Sequence, residues 1–274
     1  MPELPEVETI RKDLAHHIVG QTIEQLIFLR SNIFTRELND FKRLLTNKKI
    51  TSVNRRAKLL LFMVDDLSLV THLRMTGVYI FEKKNKSNSQ ITQKHTRFII
   101  SFNSGDKLIY QDQRALGKIY LFDEEMKQNF FIKYGVEPLE SSFTINKLTS
   151  LLSKRRINIK QFLLDQRAVV GIGNIYASEI LFLSKINPIT PANQLKKSQI
   201  RNLKKSILII LKSALAHQGT TISDYRKADG ESGNFQKFLK VYGHEKEPCP
   251  NCKEEIKRMS SYARSTFYCP RCQI

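Results

Sequence analysis

Before Cys249 this 274-residue chain contains no cysteine, and its first residues carry Glu3, Glu6 and Glu8 where a secretion signal is basic and then apolar. These two absences give no sign of an oxidising compartment. Long apolar runs are also missing. The longest wholly apolar stretch, Leu59–Val64, falls far short of the roughly 20 residues that a membrane-spanning helix needs. No basic amphipathic segment with an aromatic apolar face stands out, and there is no internal repeat. A cytoplasmic protein without a membrane partner, acting as a monomer, is expected. Acidic residues are scarce: 26 Asp plus Glu stand against 45 Lys plus Arg, a formal charge of +19, with an isoelectric point near 9.8. A polyanion is the natural ligand of such a chain, and nucleic acid is the first candidate.

What is present is concentrated at the end. All four cysteines lie in the last 26 residues, as Cys249-Pro-Asn-Cys252 and Cys269-Pro-Arg-Cys272, with sixteen residues between the pairs. Two C-x2-C pairs at this spacing suit one tetrahedral, structural zinc ion. Lys253–Tyr268 is long enough to fold back as a hairpin and deliver the second pair. Two disulfides are the alternative, for which the rest of the chain offers no support.

Along the chain, Pro5–Ile18 has apolar residues at Val7, Ile10, Leu14 and Ile18, acidic residues in its first turn and Gly20 just past its end, which predicts a first helix. From Lys49 to Phe122 the pattern changes to short β-rich runs, among them Leu59–Val64, Phe98–Phe102 and Lys118–Phe122, with a turn at Asn103–Asp106. Lys83–Lys94 is polar and unpatterned and reads as an exposed loop. After Tyr134 the pattern turns helical, most clearly at Ile200, Leu203, Ile207, Ile210 and Ala214 before Gly219. The segments expected are 1–133, 134–236 and 237–274. The length suffices for two main domains with sizeable cores plus a finger.

Gly171-Ile-Gly173-Asn174 opens a second amphipathic stretch, Ile175–Ile186. It is no dinucleotide fingerprint, since Tyr176 stands where glycine is needed and no strand precedes it. A glycine-rich turn at a helix N-terminus is suited to hold a phosphate, or Asn174 caps the helix, or both. At the other end, removal of Met1 would expose the secondary amine of Pro2. Such an amine condenses directly with an aldehyde-like sugar carbon to give an iminium, which acidifies the neighbouring C–H and opens an elimination route through a sugar–phosphate bond. Glu3 is placed to protonate the sugar ring oxygen or relay protons. An ordinary proline leading into a helix is the bland alternative.

The chain resembles the formamidopyrimidine-DNA glycosylase family over its whole length. The resemblance rests on Pro2–Val7, Arg56–Lys58, His72–Gly77, Lys94-His95, Asp112–Arg114, Leu163–Gln166, Gly171–Tyr176, Gly219–Thr221, Val241–Gly243 and Arg264–Cys269. It implies an α+β architecture: an N-terminal β-sandwich with the first helix packed on it, a helix–two-turn–helix domain and a zinc finger hairpin, with DNA in a basic cleft between the halves. It also implies a bacterial, nucleoid-associated base-excision repair enzyme. Such an enzyme excises oxidised purines from damaged duplex DNA as a glycosylase, and cuts the abasic site as a lyase by β,δ-elimination.

Position by position, the resemblance makes Pro2 the Schiff-base nucleophile and Glu3 the proton donor, with Lys58 assisting β-elimination and Arg264 assisting δ-elimination. It places His95, Arg114, Arg155 and Lys160 on DNA, and gathers Lys58, His72, Asn174, Tyr242 and Arg264 on phosphates around the lesion. Extruding a nucleotide from a duplex costs a few kcal/mol and leaves a hole to fill. Met75 and Arg114 match two of the family's fillers. The third departs, since Leu116 stands where the family usually has phenylalanine, and leucine wedges a base step without aromatic stacking. His244, where the family commonly has arginine, departs too. Bland readings exist for several: a core histidine at His72, a finger-packing aromatic at Tyr242, solvated charges at Lys58 and Arg155. Two other functions stay open. One is an endonuclease VIII-like glycosylase for oxidised pyrimidines, against which Leu4-Pro5-Glu6 argues; the other is a non-catalytic zinc-finger DNA-binding protein.

Overall fold

The computed structural model describes residues 1–85, 92–220, 233–261 and 264–274, which fall into two compact units. The first is Met1–Lys133 with Gln218–Asn234, and the second is Tyr134–His217 with Phe235–Ile274. The helical and cysteine-rich segments lie in one unit, and Gln218–Asn234 belongs with the first. Thr221 and the middle of the Lys83–Lys94 loop, 86–91, lie outside the described residues.

The first unit opens with α1 (Leu4–Ile18), whose buried stripe of Leu4, Val7, Ile10, Leu14 and Ile18 recurs every three to four residues. Pro5 begins the helix without sacrificing a backbone bond, and Gly20, left-handed at φ 89°, lies beyond its end. The strands are β1 (Ile23–Phe28), β2 (Ile50–Arg56), β3 (Leu59–Val64), β4 (Leu67–His72), β5 (Gly77–Glu82), β6 (Thr96–Phe102), β7 (Lys107–Asp112) and β8 (Lys118–Phe122), with α2 (Leu38–Leu45) and α3 (Glu124–Phe131) between or after them. They form two antiparallel four-stranded sheets, β1-β6-β7-β5 and β2-β3-β4-β8. Both sheets contribute to one core, as Leu26, Phe98 and Tyr110 from the first cluster with Phe62, Leu69 and Ile119 from the second, and Val7, Ile10 and Leu14 of α1 join them. The β-rich reading and the three strands named from sequence match the structure.

Elements not anticipated have weak signals for physical reasons. A register shift between Ile23 and Gln25 breaks the alternation of β1, so Ile23 and Leu26 are buried three residues apart. Only Phe41 and Leu45 of α2 are buried, and no residue of α3 is.

The second unit packs α4 (Ile145–Ser153), α5 (Ile159–Leu164), α6 (Asn174–Ser184) and α7 (Lys197–Ala216) with a hairpin of β9 (Lys257–Ser261) and β10 (Arg264–Tyr268). The expected face of α7 is buried at Ile200, Leu203, Ile207 and Ala214, with Leu211 rather than Ile210 completing it. The reading of Ile175–Ile186 as amphipathic needs correction: α6 is buried on nearly every side from Ile175 to Phe182 and ends at Ser184, with Lys185 left-handed at φ 58°. A helix apolar all round is a central helix, and α6 lies against α5, α7 and β10.

Candidate active site and metal centre

In the first unit the site begins at the chain terminus. Glu3 and Glu6 are each only 3% exposed and form a reciprocal capping box at the start of α1, where the Glu3 amide donates to Glu6 Oε2 at 2.8 Å. The other oxygen of Glu6 accepts from the Thr220 amide at 2.8 Å and the Thr220 hydroxyl at 3.2 Å. Gly219 makes that approach possible: it is left-handed at φ 78°, and a Cβ there would lie 2.6 Å from Glu6 Oε1. Burial lowers the pKa of the terminal amine of Met1 below its ordinary value. Glu3 and Glu6 oppose the shift, and the Lys58 charge adds to it. The terminus, two buried carboxylates and a buried ammonium thus share one electrostatic neighbourhood, and Pro2 is buried within it.

Lys58, 4% exposed, follows Ala57 in the two-residue turn between β2 and β3. The turn is tied to α1 through Arg55, whose Nε donates to Glu8 Oε2 at 3.1 Å and whose Nη1 donates to the Ala57 carbonyl at 2.9 Å. Ala57, Arg74 and Ala115 are left-handed at φ 56°, 56° and 50°. Non-glycine residues seldom adopt this conformation unless their surroundings hold it. All three sit beside expected site residues: Lys58, Met75, and the pair Arg114 and Leu116. Met75 and Leu116 are 42% and 45% exposed.

His72 closes β4, and its Nδ1 accepts from the Arg74 amide at 3.0 Å. Burial first, then the charges of Arg74 and Lys58, push its pKa down to about 3. The ring is therefore neutral, with its proton on Nε2 as a donor for an acceptor such as a phosphate oxygen. His95 closes a short turn, Gln93–His95, and its buried Nδ1 has no partner among the described residues.

In the second unit, Lys160 is 2% exposed, and its ammonium donates to the Ser265 carbonyl at 2.9 Å and to Thr266 Oγ1 at 2.7 Å. Asn174 Nδ2 donates to the same carbonyl at 2.9 Å. Both residues thus grip β10 immediately after Arg264, which is exposed. Lys160, expected above on DNA, has its buried ammonium on the protein's own hairpin. The alternative in which Asn174 caps its helix gives way, since the N-cap is Gly173 and Asn174 is the first helical residue. Arg155 pairs with Asp165 at 3.4 Å. Tyr242 packs edge-on against Phe267 at 5.0 Å, and its amide donates to Glu179 at 2.8 Å.

Glu179, 1% exposed, was assigned no role from sequence. It accepts three backbone N–H groups, from Lys240, Val241 and Tyr242, and burial still raises its pKa. A single acid inside the apolar run Ile175–Leu183 was the available signal, because a buried carboxylate must find donors. Asp112 and Thr220 likewise lay in segments quoted for the resemblance without a role of their own.

The four cysteine sulfurs all lie within 4.8 Å of one another, and the thiols are free. Across the two pairs, Cys249–Cys272 is 3.9 Å and Cys252–Cys269 is 3.5 Å, too long for disulfides of about 2.05 Å. Four sulfurs about 2.3 Å from a common centre would be about 3.8 Å apart, so the cluster fits tetrahedral zinc. The knuckles pack with Val241, Ile256 and Phe267 in one small cluster. Among the described residues no helix is long and apolar enough to cross a membrane.

Three family models match the chain: the formamidopyrimidine-DNA glycosylase N-terminal domain over residues 1–119, its H2TH domain over 134–226, and a zinc finger found in FPG and IleRS over 246–274. A formamidopyrimidine-DNA glycosylase of Chloroflexus aurantiacus is 38% identical over 276 residues, covering 100% of this chain and 98% of that protein. Among solved structures, a Lactococcus lactis FPG mutant bound to a Fapy-dG containing DNA superposes with a TM-score of 0.92 at 36% identity, covering 99% of each chain. The Lactococcus lactis Fpg in complex with an abasic site containing DNA also gives 0.92, at 37% identity and 99% coverage of each.

Proposed function

The chain belongs to the formamidopyrimidine-DNA glycosylase family, base-excision enzymes acting on damaged DNA, and from that premise we propose that it excises oxidised purines and then cuts the strand through a Schiff base on Pro2. The observation that carries this reading is the buried terminus, where Pro2, Glu3, Glu6 and Lys58 are all buried and the two carboxylates and the ammonium act electrostatically on the end of the chain. The Pro2 amine, once Met1 is removed, must be unprotonated to attack. With Met1 removed, the Pro2 nitrogen attacks C1′ of the flipped nucleotide, and the base departs with the proton that the Pro2 nitrogen gives up. Glu3 supplies a proton to the ring oxygen as the sugar opens, leaving an iminium between Pro2 and C1′. That cation draws electrons from the C2′–H bond. Loss of this proton expels the 3′ phosphate, and a second elimination expels the 5′ phosphate.

Lys58 is placed by its hairpin beside this centre, to balance phosphate charge and assist the first elimination; Arg264 serves the second. Exposed Met75, Arg114 and Leu116 fill the space left by the extruded nucleotide, and His72, His95, Arg155, Asn174 and Tyr242 hold phosphates or neighbouring DNA. Lys160 acts through the hairpin that it grips. One zinc ion held by Cys249, Cys252, Cys269 and Cys272 supplies structure alone, fixing the finger that presents Arg264.

Borohydride trapping on a duplex carrying one 8-oxoguanine tests the proposal. Wild type should form a covalent protein–DNA adduct, and Pro2→Gly or an N-terminally extended form should form it far less efficiently. Adducts formed equally well by those variants would reject Pro2 as nucleophile. A duplex with one oxidised pyrimidine, run in parallel, tests the purine preference: faster excision there would reject it.

A further inference from the structure

The residues that hold Met75, Arg114 and Leu116 in place form a connected set of their own. Asp112, fully buried at the end of β7, spreads its carboxylate over two loops. Oδ1 accepts from the Thr76 hydroxyl and from the Arg114 amide at 3.2 Å, while Oδ2 accepts from the Gly117 amide at 2.7 Å. The Thr76 hydroxyl in turn accepts from the Arg114 amide at 3.1 Å. Thr76 follows Met75, and Arg114 and Gly117 bracket left-handed Ala115 and Leu116. One hydroxyl and one carboxylate therefore join the loop that carries the first apolar filler to the loop that carries the second.

A buried cation works on the opposite polarity. Arg97, 7% exposed, directs its guanidinium to three carbonyls, those of Asp112 at 2.8 Å and of Lys94 and Gln113 at 3.3 Å each. The anion thus gathers N–H groups of the 112–117 loop, and the cation gathers its carbonyls together with that of the residue before His95. A buried carboxylate that accepts only backbone and hydroxyl donors is costly unless the loops it fixes repay it.

We propose that Asp112 is a positioning residue which, through the Thr76 hydroxyl, locks the Met75 loop to the Arg114–Leu116 loop, so that the two apolar fillers enter the base stack as one rigid wedge. The inference rests on the filler role given above and adds to it. Separately mobile loops would each pay an ordering cost on entering the stack; locked loops have paid it on folding. The lock therefore matters when a paired base must be displaced, and much less at a site that already lacks its base.

Thr76→Val removes the shared hydroxyl while keeping the side chain's shape, and Thr76→Ser restores it. In single-turnover assays, Thr76→Val should slow excision of 8-oxoguanine paired in duplex about tenfold, the scale of one lost hydrogen bond to a charged group. Cleavage of the same duplex with a preformed abasic site should change less than about twofold, and Thr76→Ser should stay within about twofold of wild type on both. Combining Thr76→Val with Leu116→Ala should cost no more than the worse single change. Equal loss on both substrates, full additivity, or no loss would overturn the lock. Amide hydrogen exchange on the free wild type reads it without DNA or mutation: the Arg114 and Gly117 amides should be protected despite their exposed loop, and fast exchange at both would refute the tie. A wild type that traps no adduct would instead overturn the functional reading, and the wedge with it.

Discussion

The two units meet the same demand, a surface of exposed side chains held in fixed positions, by opposite means. In the first unit a large apolar core supports two sheets, and Asp112, Arg97, Glu6 and Arg55 then fix the loops by hydrogen bonds from within. In the second unit the finger has only a small buried cluster, two of whose members are Cys249 and Cys269. Where the chain buries enough apolar surface, folding itself sets the loops; where it does not, four cysteines stand within reach of one another, as a zinc finger's do. Removing zinc is the strongest way to break this comparison. Cys252→Ser, or chelation, should unfold the finger and abolish DNA binding while the sandwich keeps its near-UV signal and cooperative melting. Loss of both together would show that the sandwich depends on the finger.

A smaller effect is expected at Glu179, a buried carboxylate of the second unit that, like Asp112, accepts from backbone amides. Glu179→Ala strands three backbone donors and should destabilise the chain by about 1–3 kcal/mol, read by urea denaturation. It should weaken DNA binding further by loosening Tyr242. No change in either would mean that the finger alone orders residues 240–242.

A pH dependence is expected in the first unit. His72 has a folded pKa of about 3 against an ordinary value near 6.5. As pH falls below 6.5 the unfolded chain takes up a proton that the folded chain refuses, so this stability is present above 6.5 and is lost towards 3. Relative to His72→Asn, wild type should lose about 1–2 kcal/mol between pH 7 and pH 5. Urea midpoints that stay parallel across that range would place the ring in a less buried setting.

The smallest effect concerns Leu116. Leu116→Phe should tighten binding to lesion duplex severalfold, since base–aromatic stacking is worth about 1–3 kcal/mol and leucine forgoes most of it. Leu116→Ala should slow excision of a paired lesion more than cleavage at a preformed abasic site. Equal slowing on both would make Leu116 a packing residue.

Much of this arrangement was legible in the sequence, and the exceptions have a common cause. Four cysteines at fixed spacing, the α1 stripe and the run Leu59–Val64 are local patterns, and local patterns survive in one dimension. Asp112, Arg97 and Glu179 act on backbone amides and carbonyls elsewhere in the chain, and backbone groups have no letters in a sequence. Lys160 shows the same limit: its bond to a main-chain carbonyl 105 residues away has no trace in the sequence.

Beneath the two loops of the first unit, the Tyr110 hydroxyl occupies the space that a Cβ on either Gly77 or Gly117 would need. The two glycines are not equally confined. At Gly77 a Cβ would also meet the Leu73 carbonyl at 2.5 Å, whereas at Gly117 the next obstacles, Asp112 Oδ2 and the ring carbon Tyr110 Cζ, are 3.1 Å away. Their histories under mutation should therefore diverge. At 117 a change of Tyr110 to phenylalanine removes the nearest obstacle and leaves two contacts at 3.1 Å, which ask for a few tenths of an ångström of movement, so tolerance of alanine there is linked to position 110. Position 77 has no such escape, because a backbone oxygen cannot be mutated away, and glycine there should outlast every change at 110.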